Sequence, residues 1–320
     1  MARLFPMFAA TLAVVSLSAT ALGAENIFDY GNGDDLRGSY PEQWGFSDEP
    51  DPLEFEIGLR YWYSLGSSQL SAFGGNYSSA DTSQIAELHF RIDDNSTASY
   101  AKGQVGYAAI IEGTYSTPEF VGDQTMSGGN IGYAGADFGM MPWGNETFKV
   151  GGFAGYQFLS DNPDMGRANY TTSGGGGASQ VNAVETHMLK LGAVARMEFG
   201  DVVDLTAEAA AIPFAKMDGT YGAFYQPDFV VGPDTFEQGS AGTIDGMLYG
   251  ASGEVMLGFS PTENLTVRVG GRGWYLTGDA TMQFRAREVG TPSNSADYIG
   301  DITGLEFFRY GALAEITGTF

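Results

Sequence analysis

Only two histidines occur in the 320 residues, and cysteine is absent. His89 stands between Glu87 and Arg91, and His187 follows Glu185 by two positions. A histidine works as a general base when one group orients its ring and a hydroxyl or water lies within reach of the other nitrogen. Neither neighbourhood offers a spaced serine or an aspartate pair. His89 is therefore expected to join an ion-pair network, His187 to sit at a loop edge, and the chain to be no enzyme. Acids group at Asp218, Asp228, Asp234 and Glu237, and again over Asp29–Asp35 with Asn32 and two glycines. Hard divalent cations favour such oxygens. No ligand spacing repeats, so a solvated acidic surface is the expected role, with divalent cations as occasional partners. Gly174–Gly177 opens no helix, so it reads as a flexible loop rather than a phosphate cradle, and no cofactor is expected.

The more informative chemistry lies in charges that alternate with apolar residues. In Glu54–Tyr63, Phe55, Ile57, Leu59, Tyr61 and Tyr63 share one face, while Glu54, Glu56, Gly58, Arg60 and Trp62 share the other. Two-residue alternation is the period of a strand. Extended along the chain, the same parity turns nine basic residues inward: Arg60, Arg91, Lys102, Lys149, Lys190, Arg196, Arg268, Arg272 and Arg309. Ten acids face them: Glu54, Glu56, Glu87, Glu112, Asp137, Glu198, Asp204, Glu208, Glu254 and Glu315. Charges of both signs on one face of many strands fit a narrow interior in which long side chains meet and neutralise one another. A selective pore would more naturally sort the signs into rings.

The elements that must position these charges are ten strands. The alternation places them near 54–63, 86–92, 104–112, 129–141, 147–159, 186–199, 202–215, 245–259, 265–277 and 303–320. In the fourth, Ile131, Tyr133, Asp137 and Met141 share the inward face. Tight turns at Asp93–Thr97, Pro142–Glu146, Gly200–Asp201 and Ser260–Asn264 alternate with long connections near 64–83, 116–128, 160–185, 216–244 and 278–302. Short turns on one side and long connections on the other characterise transmembrane barrels, and an even count returns both ends to the same side. Outward aromatics gather near an upper level (Tyr61, Tyr63, Tyr115, Tyr156, Phe158, Tyr249, Tyr275, Phe308, Tyr310) and a lower one (Phe55, Phe148, Phe199, Phe259, Phe320), with Ala and Gly between. They form two interfacial girdles. The fold expected is a closed antiparallel transmembrane β-barrel spanning 54–320.

The N-terminus supports export. Arg3, the apolar run Leu4–Leu17 and small residues thereafter read as a cleavable signal over 1–23, cut after Ala21 or Gly23. The run is shorter than the roughly 18 residues of a spanning helix. Residues 24–53 carry eight acids, Arg37 and three prolines, and read as an extended periplasmic segment. Without cysteine, no disulfide frame is available to this exported chain. The 47 glycines and the excess of 39 acidic over 15 basic residues suit a barrel with negative surroundings and exclude nucleic acid as a partner.

The signal, the hairpin Leu257–Leu265 and the last strand, with Tyr310, Ala312, Ala314 and Ile316 alternating before Phe320, resemble the outer-membrane β-barrel superfamily of Gram-negative bacteria. The resemblance implies insertion by the barrel-assembly machinery and contact with outer-membrane lipid and lipopolysaccharide. Gly318 departs from the usual terminal pattern, where an aromatic stands. Leu36–Tyr40 resembles a stretch of small α-proteobacterial surface proteins. Omptin-like proteases share the ten-strand count and use a histidine with aspartates at the extracellular rim, which makes His187 the better placed of the two histidines. The expected function is a plugged barrel anchoring acidic surface loops for envelope integrity or surface contact. A narrow porin-like channel is the alternative and an omptin-like hydrolase a minor one.

Overall fold

The computed structural model describes residues 53–119, 121–126, 128–145, 147–164, 180–200 and 202–320. The signal segment, residues 24–52 with the Asp29–Asp35 and Leu36–Tyr40 stretches, and Gly174–Gly177 lie outside these residues. Ten long strands follow one another: β1 (Leu53–Ala72), β2 (Gly75–Asp94), β3 (Ser99–Ser116), β4 (Gly128–Gly144), β5 (Phe148–Asp164), β6 (Ala183–Phe199), β7 (Val203–Tyr221), β8 (Gly242–Thr262), β9 (Leu265–Glu288) and β10 (Thr291–Thr319). Each pairs antiparallel with the next, and β10 returns to β1 with Glu315 opposite Arg60, closing the ring. Closure leaves no sheet edge facing lipid, which is what a bilayer without hydrogen-bonding partners demands.

The turns on the side of the chain termini are tight because their side chains bond the backbone. The Asp94 carboxylate accepts from the Ser96 N–H at 2.9 Å and from Thr97 Oγ1 at 2.8 Å. Asn145 Oδ1 accepts from the N–H groups of Thr147 and Phe148 at 3.0 and 2.9 Å. Such Asx turns reverse a strand within a few residues. On the opposite side two of the connections that are long in chain are built of strand. β1 and β2 meet at Phe73-Gly74, and β9 and β10 at Val289-Gly290, after rising well past the upper girdle. The sequence segments 64–83 and 278–302 are thus hairpin ends.

The outward face changes character at a common level. On β1, Phe55, Ile57, Leu59, Tyr61, Tyr63 and Leu65 are exposed and apolar, whereas above them Ser67 and Gln69 point outward. On β9, Val267, Val269 and Tyr275 give way to Asp279, Thr281, Gln283 and Arg285. The ten steps from Phe55 to Leu65, at roughly 3.3 Å each and a tilt of about 40°, make an apolar band about 25 Å tall, the height of a barrel's lipid belt. Below the boundary the barrel meets acyl chains; above it, the same strands stand in water.

The interior inverts at the same level. Above the boundary the inward positions include Leu70, Tyr77, Leu276, Met282, Phe284, Ala286 and Ile302, all buried and part of one apolar cluster, beside a buried group of charges formed by Asp81, Asp161 and Arg309. This upper core is covered by the β7–β8 connection, whose short strands Phe229–Val231 and Asp234–Gln238 pair with each other and with β9, and whose Phe224 is fully buried. Tyr77 Oη donates to the Tyr225 carbonyl at 3.1 Å and so ties β2 to this cap.

Bulges correct the simple alternation. Gln84 pairs with Ile110 and Ile85 with Ala108, so Ala109 and Ile110 both face outward and the parity of β3 flips. Glu112, expected in the lumen, is consequently exposed on the outer face above the lipid band, and Ile111 turns in against the upper core. Tyr115, expected in the upper girdle, is turned inward by the same extra residue.

Candidate functional site in the barrel interior

Within the lipid band the inward face carries the charge network. Glu56, Arg60, Glu87, His89, Arg91, Lys102, Asp137, Lys190, Asp204, Glu208, Glu254, Arg268, Arg272, Arg309 and Glu315 all lie in the interior, buried or half-buried. Arg60 pairs with Glu315 and with Glu87 at 3.1 Å, and Glu254 lies 3.4 Å away. Arg272 forks to Glu87 and Glu254, both at 2.6 Å, joining β9 to β2 across the lumen and to its neighbour β8. Arg268 meets Glu315 at 2.9 Å and Glu56 at 3.3 Å, with Asp204 at 3.6 Å. Lys190 holds Asp137 at 2.8 Å, and Lys102 bonds Glu208. Buried pairs of this kind are tolerated because each guanidinium finds several acceptors; an unpaired partner would cost roughly 3–5 kcal/mol.

Room for these long side chains comes from inward glycines on adjacent strands. A Cβ at Gly66 would lie 2.3 Å from Asp81 Oδ1 and 2.4 Å from Arg309 Nη2, and one at Gly155 would strike Asp137 Oδ1 at 1.8 Å.

Directly above the network, Trp62, Tyr133 and Trp274 pack edge to face, with centroids 4.8 Å apart for the tryptophan pair and 6.1 and 5.8 Å from each to Tyr133. All three are buried. Tyr133 Oη donates to Glu87 at 2.5 Å and the Arg272 guanidinium lies 5.5 Å from the Trp62 ring, which couples this layer to the charges below. Higher still, Arg309 donates to Asp81 at 2.9 Å from two nitrogens, to Asp161 at 3.1 and 2.7 Å, and to Ser64 at 3.1 Å. Asp81 and Asp161 escape a sequence reading that ends β2 at residue 86 and β5 at 159, because both strands run on above the bilayer. Asp93, assigned to a turn, also faces inward and holds Arg91 at 2.6 and 2.8 Å.

Two small cavities occupy the lower lumen. One of about 50 Å³ is lined by Glu56, Arg60, His89, Glu208 and Arg268, and one of about 40 Å³ by Lys102, Asp137, Lys190 and Arg272. Each has room for a few waters. Wider cavities of about 390 and 340 Å³ open at the mouth on the termini side, where Glu54, Lys149, Arg196 and Glu198 reside. Lys149 stands opposite Arg196 in the ladder and makes no ion pair among the described residues; Arg196 approaches only Glu198, at 3.6 Å.

The histidines take the places parity assigns. His89 Nε2 lies 3.2 Å from Thr317 Oγ1 and 3.4 Å from Glu315, but the Thr317 hydroxyl donates to Glu315 at 2.6 Å and so is committed to the network. His187 is on the outer face, its Nδ1 2.5 Å from Tyr156 Oη and its ring beside Phe158. Among the described residues no group of three or more metal-ligating side chains converges, and Asp218 and Asp234 lie on different strands.

No known protein family matches the sequence, and no curated protein does. Solved structures of barrels do. The translocator domain of the autotransporter NalP from Neisseria meningitidis is 11% identical over 87% of this chain and 91% of its own, with a TM-score of 0.37. The β domain of the Bordetella autotransporter BrkA gives 12% identity, 84% and 100% coverage and a TM-score of 0.34. The Pseudomonas putida toluene transporter TodX gives 11%, 87%, 92% and 0.30. Scores this low carry no argument about activity, and the fold rests on the closed ladder itself.

Proposed function

We propose that this chain is an exported outer-membrane barrel, freed of a signal at 1–23 and inserted by the barrel-assembly machinery, which anchors a rigid acidic structure at the cell surface and catalyses no reaction. The observation that carries this reading is the Trp62–Tyr133–Trp274 layer, which fills the lumen between the ion-pair network and the capped upper core. Above the lipid band, Glu112, Glu185, Asp218, Asp245, Asp279, Asp297 and Asp301 are exposed on the outer wall. They would face lipopolysaccharide, with divalent cations bridging carboxylate to phosphate. Planar-bilayer recording of the purified protein tests the reading. It expects no steady current; an ion-selective conductance would place the chain among porins.

The second reading, a narrow channel for small solutes, draws support from the charged cavities of the lower lumen, which share Glu56, Arg196 and Arg268 with the cavity at the mouth. It requires the aromatic layer to move. An omptin-like hydrolase would need a carboxylate on His187, whose ring bonds Tyr156 instead. An unchanged peptide- or lipid-cleaving rate in His187→Ala would remove that reading.

A further inference from the structure

The outer faces of β6 and β7 carry three kinds of pair in three successive rows. Leu189 stands opposite Phe214, two residues higher His187 stands opposite Lys216, and two higher again Glu185 stands opposite Asp218. The lowest pair is exposed and apolar and closes the lipid band on these strands. The highest is acidic, and Asp245 on β8 continues it opposite Asp218. Between them lies the basic pair, at the height where acyl chains give way to headgroups. Among the described residues, no other strand has a basic side chain on its outer face at this level: the other basic residues of the lipid band face the lumen, and Arg285 stands higher, on Asp297.

Both basic side chains keep donors in hand. His187 Nδ1 lies 2.5 Å from Tyr156 Oη, and with that hydroxyl donating, the ring carries its hydrogen on Nε2, which has no partner among the described residues. Tyr156 stacks on the imidazole with centroids 6.1 Å apart and Phe158 packs beside it at 5.3 Å, so the upper girdle fixes the ring. Lys216 Nζ bonds Asp245, and an ammonium has two further hydrogens. Side chains directly opposite on neighbouring strands lie about 5 Å apart at Cβ, close enough for one ligand to span both. The three remaining N–H groups match the three unesterified oxygens of a phosphate monoester in charge-assisted hydrogen bonds.

We propose that His187 and Lys216, with Tyr156 orienting the imidazole, hold the terminal phosphate of an outer-leaflet lipid; this rests on the reading that the acidic end of the barrel stands at the cell surface. Leu189 and Phe214 directly beneath give the same molecule an apolar contact. A lipid anchored by its chains keeps its phosphate at this height, which selects it over free phosphate. Glu185, Asp218 and Asp245 face the phosphate from above, and a divalent cation of the kind proposed to bridge carboxylate and phosphate joins the two instead of leaving them in repulsion.

Bromine on a lipid's acyl chains quenches a nearby indole and so tests the contact directly. A Leu189→Trp reporter is placed in a Trp143→Phe background, which removes an indole exposed to lipid lower on the wall. The folded barrel is held in phosphatidylcholine vesicles with magnesium, and a minor share of either brominated phosphatidic acid or brominated phosphatidylcholine is added. Phosphatidic acid should associate beside the reporter about tenfold more strongly than phosphatidylcholine. That advantage should fall to near parity in Lys216→Met with His187→Phe and persist in Lys216→Arg. A Leu257→Trp reporter lower on β8 should show no preference. Excess inorganic phosphate should leave the advantage in place; its loss would assign the site to free phosphate and overturn the lipid. Equal quenching by the two lipids, an unchanged preference in the double variant, or the same preference at Leu257→Trp would overturn the proposal. Quenching reads lipid contact and not conductance, so a current in the planar-bilayer test would defeat the plugged barrel and leave this result standing.

Discussion

Replacing Arg309 by methionine keeps the side chain's bulk and apolar stem and removes the donors that hold Asp81, Asp161 and Ser64 together. Arg309 stands on β10 and these partners on β2, β5 and β1, so the cluster ties strands across the lumen as well as along the wall. The two carboxylates differ in their access to water: the Asp81 side chain is 1% exposed and that of Asp161 is 14%. Asp161 can recover part of its solvation, whereas Asp81 stays buried with Ser83 Oγ as a remaining donor. Breaking a buried pair by deleting one partner costs roughly 3–5 kcal/mol, and the partial relief at Asp161 puts the expected loss near the lower end, about 3 kcal/mol. Reversible urea unfolding in vesicles, read by tryptophan fluorescence, measures it. Adding Asp81→Asn to Arg309→Met removes the stranded charge and should recover at least about half of the loss. A loss below about 1 kcal/mol, or no recovery in the double variant, would show that Arg309 is not a cross-lumen tie.

Three further outcomes follow from the placement of particular residues. Glu87→Gln strands charge on Arg60 and Arg272 and should destabilise by roughly 3–5 kcal/mol, whereas Glu112→Gln on the outer wall should stay within about 0.5 kcal/mol in the same urea assay; equal effects would contradict the parity flip at Ala109–Ile110. Removing both indoles by Trp62→Ala and Trp274→Ala opens the layer between charge network and upper core, and bilayer recording should then show brief or steady currents absent from the parent. Burial pushes the Tyr77 hydroxyl up to about 12, although the Tyr225 N–H that donates to its oxygen at 3.2 Å pulls the other way. The folded cap thus holds a proton that the open chain releases near 10, so the stabilisation is complete below pH 10 and fades as pH rises towards 12. Tyrosinate absorbance and proteolysis of the 222–241 segment should report cap release in that window, and Tyr77→Phe should abolish the pH dependence.

Much of the barrel was legible because the lipid band imposes one rule on every strand. Even the least regular element, β4, obeys it: Ile131, Tyr133, Asp137 and Met141 share the inward face that alternation assigned to them. Glu112 and Tyr115 were misplaced because a bulge inserts one residue without leaving a marker in composition, and every later side chain on that strand changes face. Asp81 and Asp161 were missed for a different reason. Both follow or precede residues such as Ser79, Ser83 and Asn162, whose polarity reads as a loop when lipid-facing alternation is the template. The histidines were placed by parity alone; the bonds they make, from β2 to Thr317 on β10 and from β6 to Tyr156 on its neighbour β5, cross between strands and lie beyond any pattern within one strand.

The long connections hold the more general lesson, because alternation does not stop at the bilayer; its sign reverses. On β9 the inward series runs Arg268, Arg272, then Trp274, Leu276, Met282 and Phe284, while the outward series runs Val267, Val269, Tyr275, then Asp279, Thr281 and Gln283. Both series switch within a few residues of Tyr275. Lipid outside demands apolar outward residues and leaves polar ones to pair inside; water outside reverses both demands, and the same ladder satisfies each in turn. A template that accepts one sign only ends each strand at the swap and reads the remainder as loop. The swap itself is therefore a sequence marker for the membrane surface. Its coincidence with the aromatic layer has a physical basis in two of the rings, since Tyr133 packs against both tryptophans while its hydroxyl bonds Glu87, and the Trp62 face meets the Arg272 guanidinium; the indole N–H groups of Trp62 and Trp274 are buried without an acceptor among the described residues.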